Sequence, residues 1–442
     1  MKHENALRRW GVVAAILTLA LSSSTLWAGA ASVQSPITFV GTDSNIYYCQ
    51  RDCVTAECLT CPVRGLEVRA TGLIDAVLPM AEREPADYDW PTYSPDGTKL
   101  AYVSARRTEN GPEFGVHVYD FKVKHAIQIF DSPSERPIYF FWLADSHKLS
   151  FLLAGAKGLS LMLAEAREGA PVRLIARGVP LYFDWNLPRH KLLVHTNSEA
   201  APHSEQIYLM SLTESGQAVD KVLSLGSAPF KVPAWSRDGK HLAYVANSAG
   251  QAKLYVADGE AKNPRALVSL GEGESSFEWA PDSRHICYST APPGENLMYD
   301  GIELLDTATG KINKVVQEPV AAYYISPDSR HLAYIAIPRG PYFSWYVADL
   351  PSGKSRHLLD FVTTGDEAIA YRYFDQLALS HSIWSPRSDA LIFAGVLING
   401  EGEVMPPMFS PPPSVWVVPI SKAPAQKIAD GKLAFWSPTA GN

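Results

Sequence analysis

Four cysteines lie close together near the start of the sequence, and their type and spacing suit them to chemistry. Cys49, Cys53, Cys58 and Cys61 fall within 13 residues in the pattern C-x3-C-x4-C-x2-C. In an oxidising compartment such a group forms two local disulfides, for which three pairings are possible. Four thiolates could instead bind zinc or iron, although the spacing matches no standard zinc or ferredoxin motif. We interpret the group as disulfides without a cofactor and keep a metal or redox module as an alternative.

Other motifs with a chemical role are absent from the sequence. It contains no G-x-S-x-G elbow, no H-E-x-x-H helix, no phosphate loop and no dinucleotide fingerprint. The fifth cysteine, Cys287, lies in a predicted buried strand and is interpreted as a core residue. The sequence therefore favours a protein that is not an enzyme.

Composition narrows the class of protein. The chain has 442 residues, of which 46% are hydrophobic and 19% charged, so it is neither disordered nor highly charged. The mean hydropathy is close to zero, which excludes a protein made mainly of membrane spans. The net charge is −7, so there is no basic excess to neutralise phosphates, and we expect no nucleic-acid partner.

Residues 1–30 have the pattern of a cleaved signal peptide. Lys2, Arg8 and Arg9 precede an apolar run over 11–21, and small residues at 28–30 form a cleavage site. The apolar run is shorter than the ~20 residues that span a bilayer. The arginine pair leaves Sec and twin-arginine export both open. We expect a periplasmic or secreted protein without a membrane span.

The remaining chain is a repeat. Each copy has an aromatic residue or isoleucine, then Ser-Pro-Asp-Gly or a variant, then a short apolar strand. Pro sets φ, Asp bonds its own backbone and Gly accepts positive φ, so the motif forms a tight turn between strands. The copies begin at Tyr93, Trp142, Trp185, Trp235, Trp279, Ile325, Trp384 and Trp436. Residues assigned to this structural turn are Pro95, Asp96, Gly97, Asp238, Gly239, Pro281, Asp282, Pro327, Asp328 and Pro386.

The repeat resembles the TolB-type, WD-like β-propeller repeat, whose core is an aromatic residue, Ser-Pro-Asp-Gly and an apolar strand. The resemblance covers almost the whole chain after the signal peptide and implies an all-β fold of four-stranded blades. It is specific for the fold and poorly specific for function. Two departures are visible: residues 139–200 lack a clean Ser-Pro-Asp-Gly, and blade sequence begins at Ile37, so the N-terminal domain of TolB itself is missing.

The two ends of the chain predict how the ring closes. Residues 431–436 form a first strand with nothing after it, whereas residues 37–40 form a second strand with nothing before it. We therefore predict a single propeller over 31–442, with 37–70 and 431–438 joined in one closing blade. Leu66–Arg69 is assigned to its fourth strand, and the four-cysteine loop at 49–61 precedes that strand. Seven internal copies plus this blade predict eight blades, or seven if two degenerate copies count as one.

The predicted insertions all lie on one side of the disc. Links between second and third strands, and links between blades, emerge on what we call the loop face; the Ser-Pro-Asp-Gly turns emerge on the opposite turn face. Aromatic residues and Met in Pro-rich loops suit a binding surface, because function commonly lies on loops above a rigid scaffold. The predicted loop-face site comprises Tyr342, Phe343, Tyr371, Tyr373, Phe374, Met405, Met408 and Phe409.

These observations leave three hypotheses for function. The first is a monomeric, exported, non-enzymatic propeller that binds a protein or peptide, or serves as a scaffold, through the loop face. The second is a propeller-type lyase or hydrolase with a polar site at the channel mouth, for which the candidates are Glu113, Asp300, Asp366 and Glu367. The third is the metal or redox module at the four-cysteine loop.

Overall fold

The fold is described from a computed structural model. It describes residues 35–50, 53, 55–61, 86–186, 191–198, 201–213, 216–225, 230–295, 298–337, 342–350, 352–398, 411–421 and 423–439. The predicted signal peptide, the predicted strand Leu66–Arg69, and Met405, Met408 and Phe409 lie outside these residues.

Thirty strands and two short helices make up the described chain. Blades 1 and 2 contain β4 Asp87–Tyr93, β5 Lys99–Thr108, β6 Gly111–Asp120 and β7 His125–Ser132, then β8 Arg136–Trp142, β9 Lys148–Gly155, β10 Gly158–Glu165 and β11 Arg173–Gly178. Blades 3 and 4 contain β12 Leu181–Asn186, β13 Lys191–Ser198, β14 Ala201–Thr213 and β15 Gly216–Leu225, then β16 Ala234–Trp235, β17 His241–Ser248, β18 Gln251–Asp258 and β19 Arg265–Ser269. Blades 5 and 6 contain β20 Ser275–Trp279, β21 His285–Thr290, β22 Ile302–Asp306 and β23 Ile312–Val316, then β24 Ala322–Ile325, β25 His331–Ala336, β26 Phe343–Asp349 and β27 Ser355–Thr363. The remaining elements are β28 Ala390–Leu397, β29 Ser414–Pro419, β30 Gln426–Trp436, β1 Ile37–Gly41, β2 Ile46–Cys49, β3 Glu57–Cys58, and helices α1 Gly365–Arg372 and α2 Phe374–Leu377.

The strands form an all-β propeller of eight blades, which confirms the predicted fold. Blades 1 to 6 each consist of four consecutive antiparallel strands. Blade 7 begins with residues 382–384, which bridge to β28 through Trp384 and Leu391. It continues through β28, β29 and the first half of β30, which pairs with β29. Blade 8 takes the second half of β30 together with β1, β2 and β3.

Strand β30 closes the ring. Its residues Leu433 to Trp436 pair antiparallel with Val40 to Ile37 of β1, so the two ends of the chain share one blade. A bulge at Gly41 and Gly431 lets one strand serve two blades. A Cβ at Gly431 would lie 2.8 Å from the Val40 carbonyl oxygen, which explains why glycine occupies this position.

The outer edge of blade 8 carries the cysteines. Cys49 bonds to Cys53, and Cys58 bonds to Cys61, so the group forms two local disulfides. The fourth strand of the blade is β3, which pairs with Tyr47 and Tyr48 of β2. The strand predicted at Leu66–Arg69 lies outside the described residues, whereas β3 lies within the cysteine loop. Cys287 is free and buried in β21.

The Ser-Pro-Asp-Gly turns are bonded internally as their composition predicts. In the first copy, Gly97 N donates to Ser94 O at 2.8 Å, and the Ser94 hydroxyl donates to Asp96 Oδ1 at 2.7 Å. Such bonds between a short side chain and the nearby backbone stabilise a turn without help from neighbouring elements.

A serine at the last turn position links neighbouring blades. The backbone N–H of Asp238 in blade 4 donates to the Ser283 hydroxyl of blade 5 at 3.0 Å. Ser146, Ser329 and Ser388 accept the same bond from the preceding blade. These four serines all have φ between 54° and 60°, so each holds a backbone conformation that glycine adopts more easily.

Replacing one of these serines is expected to weaken the contact between two blades. Ser283→Ala removes the acceptor for the Asp238 N–H and keeps the positive φ, so the free energy of unfolding should fall by about 1 kcal/mol. Ser283→Gly also loses the bond but relaxes the backbone, so its loss should be smaller. Guanidinium unfolding of both variants measures the difference. A Ser283→Ala protein as stable as the wild type would show that the bond contributes nothing.

Candidate functional site

Residues 364–381, which we call the helical insert, close the central channel on the loop face. The insert links blade 6 to blade 7 and contains α1 and α2. Thr364 caps α1, accepting a hydrogen bond from Glu367 N at 3.1 Å, and its hydroxyl donates to Lys432 O at 2.6 Å. The Glu367 carboxylate is buried and accepts the Ala394 N–H of β28 at 2.8 Å. These bonds fix the start of the insert to blades 7 and 8.

The second helix crosses the channel to the opposite blades. The Gln376 amide exchanges two hydrogen bonds with the Phe183 backbone of blade 3, at 2.9 and 3.0 Å. Tyr139 of blade 2 donates its hydroxyl to Gln376 O at 2.9 Å. Beyond α2, the His381 ring lies 2.8 Å from the Thr92 hydroxyl of blade 1. The insert therefore contacts blades on both sides of the ring.

A buried ion pair holds the junction between the two helices. Lys231 Nζ lies 2.7 Å from Glu274 Oε1, and the Lys231 side chain is only 4% exposed. Lys231 Nζ also donates to Arg372 O at 3.4 Å, and Tyr299 donates its hydroxyl to Glu274 at 3.0 Å. Burial opposes ionisation of Glu274, but the Lys231 charge and these hydrogen bonds keep its pKa below the usual value. A pair this enclosed depends on all its partners.

On the other side of the insert, the channel remains open as a funnel of about 560 Å³. Its floor includes Asp375 and Ala378 of the insert, and its rim includes Pro95, Arg237 and Pro438 from the turns. These three rim residues are exposed, so the funnel opens to solvent on the turn face. Its volume lies in the range of about 300–1,000 Å³ typical of ligand pockets.

The funnel wall is mainly aromatic. Some of its indole rings are fixed by hydrogen bonds to the preceding blade: Trp142 Nε1 donates to Thr92 O at 3.0 Å, and Trp279 Nε1 donates to Ala234 O at 3.2 Å. The tryptophans that line the funnel are Trp142, Trp185, Trp235, Trp279 and Trp436. They belong to the repeat motif, so the strand pattern itself builds an aromatic wall.

Two acidic residues interrupt this wall at equivalent positions. Asp184 precedes the Trp of blade 3, and Glu278 precedes the Trp of blade 5. Each accepts a backbone N–H from the next blade: Trp235 N donates to Asp184 at 2.7 Å, and Ile325 N donates to Glu278 at 3.2 Å. Burial raises the pKa of Asp184 to about 7 and that of Glu278 to about 8.

The floor of the funnel adds two titratable groups. Burial raises the pKa of Asp375, whose side chain lies among the insert and the inner strands. Burial lowers the pKa of His381 to about 3, so its imidazole is neutral at ordinary pH. Asp184 and Glu278, with Asp375, are therefore the acidic groups of a mostly apolar cavity.

The wild-type protein is expected to lose stability between pH 6.5 and 8. Asp184, Glu278 and Glu367 have pKa values of about 7, 8 and 8 in the folded chain, against 3.8 to 4.5 when unfolded. The native state therefore binds more protons than the unfolded state in this window, so stability falls as pH rises. His381 opposes this trend only below pH 6.5, the ordinary pKa of histidine, because only there would it bind a proton in the unfolded chain.

The substitution Glu278→Gln tests how much Glu278 contributes to this fall in stability with rising pH. The amide oxygen can still accept the Ile325 N–H but carries no proton to lose. The decline in unfolding free energy should be shallower than in the wild type by at most about 1.4 kcal/mol per pH unit. Guanidinium unfolding at several pH values between 6.5 and 8 measures both slopes, with the exposed Glu109→Gln as control. Equal slopes in all three proteins would contradict the assignment.

The predicted loop-face residues differ in how far they are exposed to solvent. Tyr371 and Phe374 are buried in the insert, whereas Tyr373 is 42% exposed. Tyr342 and Phe343 are partly exposed, and the Phe343 ring packs near Tyr371 at 6.2 Å. Tyr371 and Phe374 thus pack inward because the insert fills the channel. They do not present the exposed surface that the sequence suggested.

The polar residues considered for an enzyme do not converge. Glu113 lies on β6 and Asp300 is exposed between β21 and β22, while Asp366 pairs with Lys432 at 3.6 Å. Glu367 is buried against β28. None of the four is among the residues that line the funnel.

Sequence reasoning placed a loop-face insertion here but missed its two helices and the funnel. Thr364, followed three residues later by Glu367, is a helix-start signal, and it could have revealed α1 within the predicted loop. Asp184 and Glu278 stand directly before repeat tryptophans, where other copies have apolar or small residues. An acidic residue at this position of the repeat is the signal by which the sequence could have indicated these two funnel residues.

Comparison with known proteins supports the fold. No family model and no curated protein matches the sequence. Among solved structures, the dihydro-heme d1 dehydrogenase NirN is 12% identical over 93% of this chain and 76% of its own, with a TM-score of 0.53. A prolyl endopeptidase is 14% identical over 79% of this chain and 50% of its own, with a TM-score of 0.54. TolB from Acinetobacter baumannii is 16% identical over 78% and 84%, with a TM-score of 0.40.

At these identities the likeness concerns the fold alone. The comparisons therefore assign no activity to this chain. Two disulfides are typical of proteins in an oxidising compartment. Within the described residues, no helix has the length and apolar character to span a bilayer.

Proposed function

We propose that the protein is an exported, monomeric, non-enzymatic binding module that takes part of a protein or peptide partner into the funnel. The observation that carries this is the funnel itself: a cavity of about 560 Å³, open on the turn face and blocked at its far end by the insert. An apolar cavity with a few placed polar groups is the usual form of a binding site. The signal-peptide pattern and the disulfides support export.

The arrangement is preorganised. Gln376, Tyr139 and Phe183 fix the floor through hydrogen bonds, and the wall belongs to the inner strands. A ligand would meet side chains already held in place, which reduces the entropy cost of binding. This proposal moves the binding site from the loop face to the turn face.

Site-specific cross-linking distinguishes the two faces. A photoreactive p-benzoylphenylalanine replaces Arg237 at the funnel rim, Tyr373 on the loop face, or Lys157 in the β9–β10 turn as a background position. Each protein is exported by its producing cells and irradiated before purification. We expect one discrete partner cross-linked from position 237. The same partner captured from position 373 and not from 237 would return the site to the loop face.

A cavity-filling substitution tests whether the funnel is entered. Ala378 lines the floor, so Ala378→Trp fills part of the space without changing the charge of the funnel. Ala308→Trp adds the same side chain at an exposed turn outside the funnel. Cross-linking of the partner from position 237 should be lost with Ala378→Trp and kept with Ala308→Trp. Both proteins must first show a cooperative thermal transition close to that of the wild type.

An enzyme remains the second candidate because two acids with raised pKa values face the cavity. Groups with perturbed pKa values are enriched at active sites. Glu278 would be the protonated acid of a lyase or hydrolase, and Asp184, which lies on the other side of blade 4, would be a second carboxyl group. Against this, the known hydrogen bonds of both groups go to backbone N–H groups. A reaction would have to be lost in Glu278→Gln while ligand binding persists.

The third hypothesis requires a different chemical state of the cysteine loop. A thiolate metal site could form only after both disulfides are reduced, because a disulfide sulfur is not a thiolate ligand. Metal analysis and thiol counting on the exported protein test this directly. Zinc or iron bound in stoichiometric amount would make the cysteine loop the functional centre.

A further inference from the structure

We propose that the funnel selects a positively charged organic group, an ammonium or a guanidinium, held between carboxyl groups and indole rings. The inference rests on the proposed function and adds the charge of the part that enters. The ammonium or guanidinium could belong to a free small molecule or to a Lys or Arg side chain of a partner.

The charge of the lining is one-sided. Asp184 and Glu278 stand on the wall, two blades apart, and Asp375 stands on the floor. The only cationic side chain in the lining is Arg237, which is exposed at the rim. The one histidine, His381, is neutral for the reason given above. An entering cation thus meets acidic groups and no buried positive charge in the lining.

The carboxyl group of Asp375 is a candidate contact for the cation. Its residue is only 6% exposed, yet it lines the funnel. Its Oδ1 accepts a hydrogen bond from the adjacent Gln376 N at 3.1 Å, and among the described residues no side chain forms a hydrogen bond or ion pair with this carboxyl group. Lys231 acts on Asp375 at longer range, but its ammonium is bonded to Glu274 at 2.7 Å. A buried carboxylate that has only backbone N–H partners is costly to ionise, and a cationic ligand beside it would reduce that cost.

The aromatic wall complements a cation of low hydration. Five tryptophans line the funnel, and the face of an indole ring attracts ammonium and guanidinium groups. Among the lining residues, Asn186 Oδ1 is buried without a hydrogen-bond partner and could accept an N–H of such a cation, whereas the unpartnered Trp235 Nε1 is a donor and would need an acceptor on the ligand. Acidic groups combined with indole rings favour an organic cation over an inorganic anion or a neutral hydrocarbon.

The spacing of the acids disfavours a metal ion as the ligand. Among the residues that the structure describes, no three His, Cys, Asp or Glu side chains are grouped closely enough to hold one. A cavity of about 560 Å³ is also far larger than a metal ion requires. The separated carboxyl groups match a bulky cation that touches one or two of them at a time.

Binding of matched probes tests the inference on the full exported chain. Choline and 3,3-dimethylbutan-1-ol have the same shape and differ by one charge. The peptides acetyl-Gly-Lys-Gly-amide and acetyl-Gly-norleucine-Gly-amide differ by the terminal ammonium group of the lysine and represent a partner side chain. Calorimetry at pH 8.5 and tryptophan fluorescence measure each affinity. We expect at least one cationic probe to bind tenfold or more tightly than its neutral match. A preference for choline would indicate a free small molecule as ligand, and a preference for the lysine peptide would indicate a side chain of a partner.

Variants locate the selectivity. Asp375→Asn and Glu278→Gln should each reduce the charge preference at least threefold, whereas the exposed Glu109→Gln should leave it unchanged. Equal affinity for charged and neutral probes would overturn the inference while leaving a funnel that binds ligands. Absence of binding by all four probes would also overturn it, and cross-linking from position 237 would then decide the proposed function separately. A charge preference that survives both acid variants would place the cation elsewhere.

Discussion

A chain that lacks its last ten residues is expected not to fold into a propeller. The deletion removes Leu433 to Trp436, which pair with all four residues from Val40 to Ile37. Phe435 and Trp436 are each 3% exposed, and the loss of one such side chain costs about 3–5 kcal/mol. The two losses together approach the whole stability of about 5–15 kcal/mol that is typical of a domain. The truncated protein should show no cooperative thermal transition.

The effect should extend to the whole ring because β30 belongs to two blades. Its first half completes blade 7, and its second half is the inner strand of blade 8. Without the second half, β1 loses its partner and exposes an edge, which favours aggregation, and Ser382 at the start of blade 7 loses its bridge to Trp436. A control chain that lacks only residues 440–442 keeps all of β30. Near-ultraviolet circular dichroism and calorimetry compare the two chains. A cooperative transition at the wild-type temperature in the shorter chain would contradict the closure.

The architecture was predictable because the repeat is local. Each turn motif is bonded within itself, and each strand pattern alternates over a few residues, so both can be recognised without knowing the rest of the fold. The closing blade was predictable for the same reason: Ile37 to Val40 and Leu433 to Trp436 are complementary halves of one repeat. Strand β3 was not predictable because it has only two residues and lies within a disulfide loop, where strand patterning is too short to detect.

The site was less predictable because it depends on contacts between distant residues. Gln376 and Phe183 are 193 positions apart, and nothing in either local pattern indicates their hydrogen bonds. The sequence places aromatic residues of the insert on the loop face, and the chain position is right. Whether such a residue packs inward or outward depends on how the insert crosses the channel. The funnel exists only as a result of that path.

Substitutions of two adjacent residues of the insert, one packed inward and one exposed, should differ strongly in their effect on stability. Phe374→Ala is expected to lower the free energy of unfolding by about 3–5 kcal/mol, because it empties a fully buried site. The Phe374 ring is 1% exposed and lies 4.8 Å from the Tyr323 ring, with Tyr299 and Tyr324 each at 6.0 Å. Tyr373→Ala removes an exposed side chain and should change stability by no more than about 0.5 kcal/mol.

The same pair separates the role of the insert from that of the loop face. Both residues were predicted for one binding surface, so a loop-face site would lose partner capture in Tyr373→Ala without loss of stability. If the insert mainly closes the channel, Tyr373→Ala keeps both capture and stability, whereas Phe374→Ala loses stability first. Guanidinium unfolding and cross-linking from position 237 measure the two properties on the same proteins. A Tyr373→Ala protein less stable than Phe374→Ala would contradict the orientation of α2, and with it the floor of the funnel.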